Sequence, residues 1–494
     1  MENLNILLLI SIIPLFGVML LLLIPDKYKL FCSNLAFFTS CLVFFLSLLL
    51  WLKFDSGYSS FQFLYTLEWL PLFNLYYTIG IDGISLFFII LTTFLIMVCI
   101  LVSWGSITYR IKDYLICFLL LEFLLIQVFS VLDLLLFYIF FESVLMPMFL
   151  IIGIWGSRER KVRAAYQFFL YTLVGSILML LGILIIYFQA GTTDLQVLWN
   201  LEFSEKKQLI LWLSFFFSFA VKIPMMPFHI WLPEAHAEAP TAGSVMLAGI
   251  LLKMGAYGFI RFSLPMFPLA TIFFTPFIFV LSLIAAIYAS LTTLRQVDLK
   301  KIVAYSSVSH MGFVTIGIFT LNVQGLEGSI FLMLSHGLIS SALFLCIGIL
   351  YDRYYTRIIK YYSGLVNVMP IFSVFFLFFS FANIGFPGTS SFVGELLVLI
   401  GAFQSSIILV FLISFSIVLS AAYSIWMFNR IMFGILKLEY FNMFQDVSRR
   451  EFLILFFIAL LVLWMGVYPE SFLKEIHNST FNLLEQSTYL QNKN

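Results

Sequence analysis

FFFSFAVKIPMMPFHIWLPEAHAEAPT, residues 215–241, decides the fold. It opens as an apolar run of the kind that crosses a bilayer, and Lys222 then interrupts it. Pro224 and Pro227 follow at once, then Pro233 and Pro240. A lysine at the centre of a spanning helix costs roughly 2.5–3.5 kcal/mol on insertion scales. A proline removes a backbone hydrogen bond and clashes with the preceding turn. A helix broken at membrane depth is tolerated only inside protein or beside a water-filled cavity. Charge and break together therefore point to a polar site buried within a helical bundle. The plainer alternative is a kinked helix whose lysine snorkels to the interface. The apolar turn and more on the N-terminal side of Lys222 weighs against it.

The surroundings agree. Of 494 residues, 62% are hydrophobic and only 10% charged, and long apolar runs recur from end to end. This composition specifies a polytopic helical membrane protein with little soluble mass. The runs are continuous rather than alternating, which argues against a pore built from strands. A net charge of +1 gives a nucleic-acid role no electrostatic support. The five cysteines (Cys32, Cys41, Cys99, Cys117, Cys346) are scattered and contain no CxxC pair, so iron–sulfur or structural zinc ligation is not expected. No GxGxxG or P-loop pattern suggests a nucleotide. The chain opens on an apolar span with no basic region or small-residue cleavage site, and reads as a retained first helix.

About fourteen spans of suitable length can be drawn. They cover 4–24, 31–52, 84–104, 114–131, 133–155 with Glu142, 165–188, and 209–231, the broken seventh. Then follow 242–261 with Lys253, 269–291, 301–320 with His310, 328–350 with His336, and 370–402 with Glu395. The last two are 406–429 and 452–468. The twelfth span is interrupted at Phe386-Pro387-Gly388-Thr389. The loop holding Trp69, Pro71 and Gly80-Ile81-Asp82-Gly83 is polar enough to be expected outside the core.

The basic residues test this count. With loops assigned alternately to sides A and B, and both termini on side B, side A holds 18 of the 26 lysines and arginines and side B holds 6. Lys222 and Lys253 are left within spans. Arg261 falls in the side B tally, Lys300 and Arg357 in that of side A. By the positive-inside rule side A faces the cytoplasm or the mitochondrial matrix. An internal repeat is also expected. Spans four to eight form one unit and nine to thirteen another, and the fourth helix of each is broken and carries a charge, Lys222 or Glu395. Units of five helices must lie upside down to one another, and paired broken helices point to a transport site at the midplane. The expected fold is thus an all-α polytopic membrane protein of about 14 transmembrane helices, with two inverted five-helix repeats and discontinuous helices 7 and 12. Its blocks are 1–112, 113–262, 263–430 and 431–494.

Six ionisable residues stand near the middle of spans: Glu142, Lys222, Lys253, His310, His336 and Glu395. Within a bilayer each is a functional candidate. Acid, amine and imidazole together suit a proton relay. Burial favours the neutral form of an acid or an amine, and an opposing charge restores the ionised form, so moving partners apart switches protonation. Histidine titrates in the right range unaided. Glu142 pairs naturally with Lys222. Each candidate has a plainer reading: a packing ion pair for Glu142, carbonyl partners for Lys253, hydrogen-bonded core imidazoles for His310 and His336, a local cap for Glu395. Weaker candidates are Glu122 inside the fourth span, Asp133, which opens the fifth and favours its N-terminus, and His229. His229, Glu234, His236 and Glu238 follow the break. Their spacing matches no metalloprotease pattern, and a loop lining the mouth of a proton path is expected there.

These residues sit in recognisable motifs. FYIFFESVLMPMFLIIGIWGSRERKVRAAYQFFLYTLVGS (137–176), FAVKIPMMPFHIWLPEAHAEAPTAGS (219–244), LKMGAYGFIRF (252–262), LRQVDLKKIVAYSSVSHMG (294–312), LMLSHGLISSALFL (332–345) and PGTSSFVGELL (387–397) resemble the antiporter-like membrane subunits of respiratory complex I, NADH:ubiquinone oxidoreductase. Within that family they are most similar to the fourth-subunit branch of mitochondrial forms, which carries glutamate, here Glu395, in the broken twelfth helix. The wider family includes large subunits of multisubunit Mrp-type sodium/proton antiporters. The resemblance implies that Glu142 and Lys222 form a switching pair, Lys253 a relay, His310 and His336 a continuation, and Glu395 the terminal group. It implies proton translocation coupled to NADH oxidation elsewhere. NADH, FMN, iron–sulfur clusters and ubiquinone are expected in other subunits, with no cofactor or metal in this chain. The implied setting is the mitochondrial inner membrane, with both termini on the intermembrane-space side. Expected partners are other membrane-arm subunits, including neighbouring antiporter-like ones, and the lipid bilayer with its cardiolipin. A stand-alone Mrp-type cation/proton antiporter is the nearest alternative. A haem carrier with His310 and His336 as ligands is a more distant one, since each histidine lies alone on its helix.

Overall fold

Apolar length sets the architecture and proline sets its interruptions. The computed structural model describes residues 5–437 and 445–493, with side chains placed through 486. Residues 438–444, within the expected block 431–494, and the side chain of Lys493 lie outside the described residues. Among the described residues twelve helices are long and apolar enough to cross a membrane. They coincide with twelve of the expected spans, and the two remaining are the discontinuous ones. The seventh begins as Glu205–Lys222, whose four charges set it apart from the rest. The twelfth is two shorter apolar helices, Pro370–Ile384 and Ser390–Ser405. The chain is an all-α polytopic membrane protein with one small β-hairpin added.

A third span is also interrupted. The fifth divides at Val144 into Leu134–Ser143 and Leu145–Trp155. Pro147 is the cause, because it donates no hydrogen bond to the Ser143 carbonyl one turn earlier. The eighth span, Thr241–Met266, contains two π turns, Leu247–Leu251 and Phe259–Ser263, which bracket the helical piece Leu252–Gly258. Such turns insert an extra residue into the helix.

The segment with Glu234, His236 and Glu238 differs from the expected loop: it is a two-turn helix, Trp231–Glu238. Pro233 lies in the first turn, where a missing N–H is no loss, and Ala235 and Ala237 favour the helix after it. Pro240 disfavours helical backbone at Ala239, which is extended at φ −60° and ψ 149°.

Packing divides the chain into two units. The first holds residues up to Ile223, Ile250–Thr275 and the residues from Lys474 onward. The hairpin Gln62–Leu70 and Leu75–Ile81 belongs to it. The loop after the hairpin, expected outside the core, is inside it. Asp82 is buried and caps Gly83–Ser106, its carboxylate accepting from Ser85 N at 3.0 Å. Arg261, tallied above with loop cations, is also buried, and its Nη2 lies 2.6 Å from Asp82 Oδ1. Burial pushes the Asp82 carboxyl up, but the Arg261 guanidinium and the Ser85 donors hold it below the usual carboxylate range. The two charges enter the core together because neither would be tolerated alone. Gly83 N donates to Ser479 Oγ at 3.0 Å, which ties down a last helix, Glu470–Lys493, that the sequence presents only as a tail. Leu134 N donates to Thr193 O at 2.9 Å, and an isolated bridge joins Asp133 to Asp194.

The second unit holds Pro224–Gly249 and Pro276–Leu473. Here Asp298 caps Leu299–Phe319, Leu299 N donates to Arg357 O at 2.9 Å, and an isolated bridge joins Asp298 to Ile358. Lys300 and Arg357, tallied above as loop cations, are buried. Lys300 Nζ donates to Ala239 O at 2.7 Å. The Arg357 guanidinium lies 3.7 Å from Glu238 and 3.6 Å from Asp298. Lys301 pairs with Glu234 at 2.5 Å. These contacts fasten the Trp231–Glu238 helix to the start of the tenth span.

Candidate functional site

Each unit holds its own group of buried ionisable side chains. In the first, Lys222 is the last residue of Glu205–Lys222 and only 2% exposed. Its Nζ makes no hydrogen bond and lies over the Phe141 ring, 4.5 Å from the centroid. A desolvated cation on an aromatic face is stabilised by about 2 kcal/mol. Glu142 follows Phe141 on the fifth span, just before that helix breaks. Its Oε1 is buried without a hydrogen-bond partner. Glu142 and Lys222 sense each other's charge, yet no direct ion pair closes between them. Burial favours the neutral form of each group, and the opposing charge favours the ionised form.

Lys253 is fully buried in Leu252–Gly258, between the two π turns. Gly255 and Gly258 bring this piece against the end of the seventh span. A Cβ on Gly255 would meet Ile223 Cγ1 at 2.8 Å, Phe219 O at 2.9 Å and Lys222 Cβ at 3.0 Å. The glycines thus bring the backbone that carries Lys253 against that of Lys222.

The weaker candidates in this unit divide. Glu122 is fully buried in Ile111–Ser130, and neither carboxylate oxygen has a hydrogen-bond partner. Asp133 is committed to structure. It accepts from Leu136 N at 2.9 Å as a helix cap and from Thr193 Oγ1 at 2.5 Å.

In the second unit three helices converge. His310 Nδ1 lies 3.4 Å from Glu395 Oε1, and the His310 and His336 rings are 5.5 Å apart between centroids. All three residues are buried, and His310 Nε2 has no hydrogen-bond partner. Glu395 owes its position to two glycines. Gly385 ends Pro370–Ile384 at φ +84°, and a Cβ there would strike the Glu395 carboxylate. Gly394 packs on the eleventh span, where a Cβ would lie 2.9 Å from Leu332 Cα. Sequence reasoning missed Tyr423 and Asn383, which lie beside this group. Tyr423 is buried and its hydroxyl lies 3.4 Å from Asn383 Nδ2. Both are uncharged, so no signal of cost in a bilayer singles them out.

His229 stands apart in the turn after the break, its ring 6.4 Å from Tyr288 and 6.3 Å from Tyr305. His236 stacks on Phe344 at 4.6 Å. Among the described residues no group of three His, Cys, Asp or Glu side chains could hold a metal ion.

Comparisons with known proteins give the family and the fold. Residues 131–420 match the family model described as NADH:quinone oxidoreductase/Mrp antiporter, TM. The chain is similar to NADH-ubiquinone oxidoreductase chain 4 of Chondrus crispus, 74% identical over 481 residues, covering 97% of this chain and 98% of that one. The protein of the same name from Arabidopsis thaliana is 59% identical over 476 residues, covering 96% of each. Among solved structures, a chain of respiratory complex I from Thermus thermophilus with bound NADH superposes with a TM-score of 0.89 at 30% identity, covering 97% of this chain and 99% of that one. A chain of the archaeal membrane-bound sulfane sulfur reductase shares the fold, with a TM-score of 0.87 at 19% identity over 99% of both.

Proposed function

This chain belongs to the NADH:quinone oxidoreductase/Mrp antiporter family, and on that premise we propose that its buried Glu, Lys and His groups are the proton-carrying machinery of a respiratory membrane subunit. It is a membrane-arm subunit of NADH:ubiquinone oxidoreductase of the chain 4 type, translocating protons as part of a multi-subunit membrane complex. The observation that carries the assignment of roles is Lys222, buried at a helix break with a ring face and a nearby carboxylate as its surroundings.

In this reading Glu142 and Lys222 switch each other's protonation, and Lys253, on the glycine-packed neighbour, accepts the proton that Lys222 releases. His310, His336 and Glu395 act as the later relay, with Glu395 terminal. Glu122 and His229 serve access, and Asp133 holds its helix. NADH oxidation and quinone reduction, with their flavin and iron–sulfur centres, take place in other subunits. The partners are other membrane-arm subunits, antiporter-like neighbours among them, and the bilayer.

We further propose inverted repeats over 113–262 and 263–430, flanked by 1–112 and 431–494. Matched details support them: Asp133 and Asp298 each cap a helix, and each begins a short bridge to the segment after the following long helix. The location is the mitochondrial inner membrane, with both termini on the intermembrane-space side. Setting aside the buried Arg261, Lys300 and Arg357 leaves sixteen loop cations on side A and five on side B, so the asymmetry behind this orientation survives.

The test is the purified complex in sealed vesicles, with NADH oxidation and dye-reported proton uptake measured together. Lys222→Ala should assemble and lose most coupled pumping. Wild-type pumping in that variant would remove Lys222 from the path.

A further inference from the structure

A group of cations outside the proton path has no role in the reading above. Three segments of the second unit meet at one end of their helices: the end of Pro268–Arg295, the turn Ile359–Tyr361, and the end of Ile407–Met432 with the chain beyond it. They enclose an open groove of about 950 Å³ whose lining includes Arg295, Lys360, Arg430 and Lys437. Among the described residues no aspartate or glutamate lines it and none of the four forms an ion pair; Lys437 Nζ donates to Lys360 O. Arg295, Lys360 and Arg430 are exposed. All four belong to the side A loops of the sequence tally, and on the orientation proposed above, on which this inference rests, they lie at headgroup depth on one face of the membrane.

A simpler explanation covers part of this. Arg295 and Arg430 sit in the last turns of their helices, where a cation is favoured by the helix dipole. It does not account for Lys360 and Lys437, which lie off the long helices, nor for the convergence of three segments on one groove. The rest of the wall is the kind that meets lipid. Trp426 lies one turn inward from Arg430, whose guanidinium carbon is 6.0 Å from its ring centre, and indole rings favour the membrane interface. Ile435 is 90% exposed and Phe433 56% exposed, an apolar rim at the same mouth.

We propose that this groove binds the headgroup of an anionic phospholipid, its phosphodiester lying among Arg295, Lys360 and Arg430 and its acyl chains running past Phe433 and Ile435. Basic pockets between spanning helices on this side of a membrane favour such headgroups, and each nearby cation adds to the attraction. The site is independent of the proton groups.

The test uses the intact complex, purified in detergent, stripped of lipid and titrated with phosphatidylglycerol, cardiolipin, phosphatidylcholine or inorganic phosphate while retained lipid is counted by native mass spectrometry. The expected result is retention of the two anionic lipids over phosphatidylcholine, with no competition from inorganic phosphate at equal concentration. Arg295→Gln, Lys360→Gln and Arg430→Gln change exposed side chains, and each should weaken retention about fivefold. Equal retention of neutral and anionic lipid, full competition by inorganic phosphate, or unchanged retention in the triple variant would overturn the proposal. A photo-crosslinking residue at position 435 should capture an acyl chain. Capture of a polypeptide there instead would identify a protein-docking surface and overturn it equally.

Discussion

Lys222 Nζ lies 4.5 Å from the centre of the Phe141 ring, and Phe141 immediately precedes Glu142. The ring that faces the lysine and the carboxylate proposed to switch with it are thus consecutive on one helix. Phe141→Leu should leave the complex assembled and slow coupled proton uptake severalfold, because the ammonium loses its face-on partner. Pumping at the parental rate would show that the ring only fills space.

Lys222→Ala removes the amine altogether and should reduce proton uptake about a hundredfold or more, the scale of a lost proton-transfer group. Glu142→Gln should do much the same, whereas Glu142→Asp keeps the charge and should retain part of the activity. Proton uptake per NADH oxidised in sealed vesicles separates these outcomes.

His310 and Glu395 are close enough to act as one unit. His310→Ala alone should retain part of the pumping, since a water can occupy the vacated polar space. Combining it with Glu395→Gln should be no worse than Glu395→Gln alone, as expected of coupled residues. Additive losses would mean that the two act on separate steps.

Asp133→Ala should behave differently from all of these. It loses a helix cap worth about 1 kcal/mol, and the detergent-solubilised complex should lose its activity sooner on heating. Proton uptake per NADH should stay at the parental value.

Gly255→Ala tests the approach of the Lys253 backbone to that of Lys222. The added methyl meets Phe219 O at 2.9 Å, and overpacking of this kind costs about 1–3 kcal/mol. Reduced assembly on native gels is expected, with pumping impaired in whatever assembles.

Most of this architecture was legible in the sequence, for identifiable reasons. Each long apolar run declares a spanning helix because the bilayer fixes its length. Both broken spans were visible because proline and charge are costly where they fall. The pairing of Asp82 with Arg261 was not legible: the two are 179 residues apart, and each alone reads as an ordinary loop charge. The Trp231–Glu238 helix hid behind its prolines, since Pro233 in a first turn reads as a breaker until the turn is located. The kink beside Glu142 could have been read from Pro147. The site groups were visible as charges in apolar runs, whereas Tyr423 and Asn383 carried no such mark. The last helix, Glu470–Lys493, is too polar to announce itself by hydropathy.

The division of the chain into its two packing units has a practical corollary. The break after Lys222 is also where the polypeptide leaves one unit for the other, and it returns at Ile250. Later it leaves again at Pro276 and returns at Lys474. A half-molecule severed at any one peptide bond would therefore carry a body with a missing piece, and the two bodies cannot be expressed or exchanged as separate cassettes.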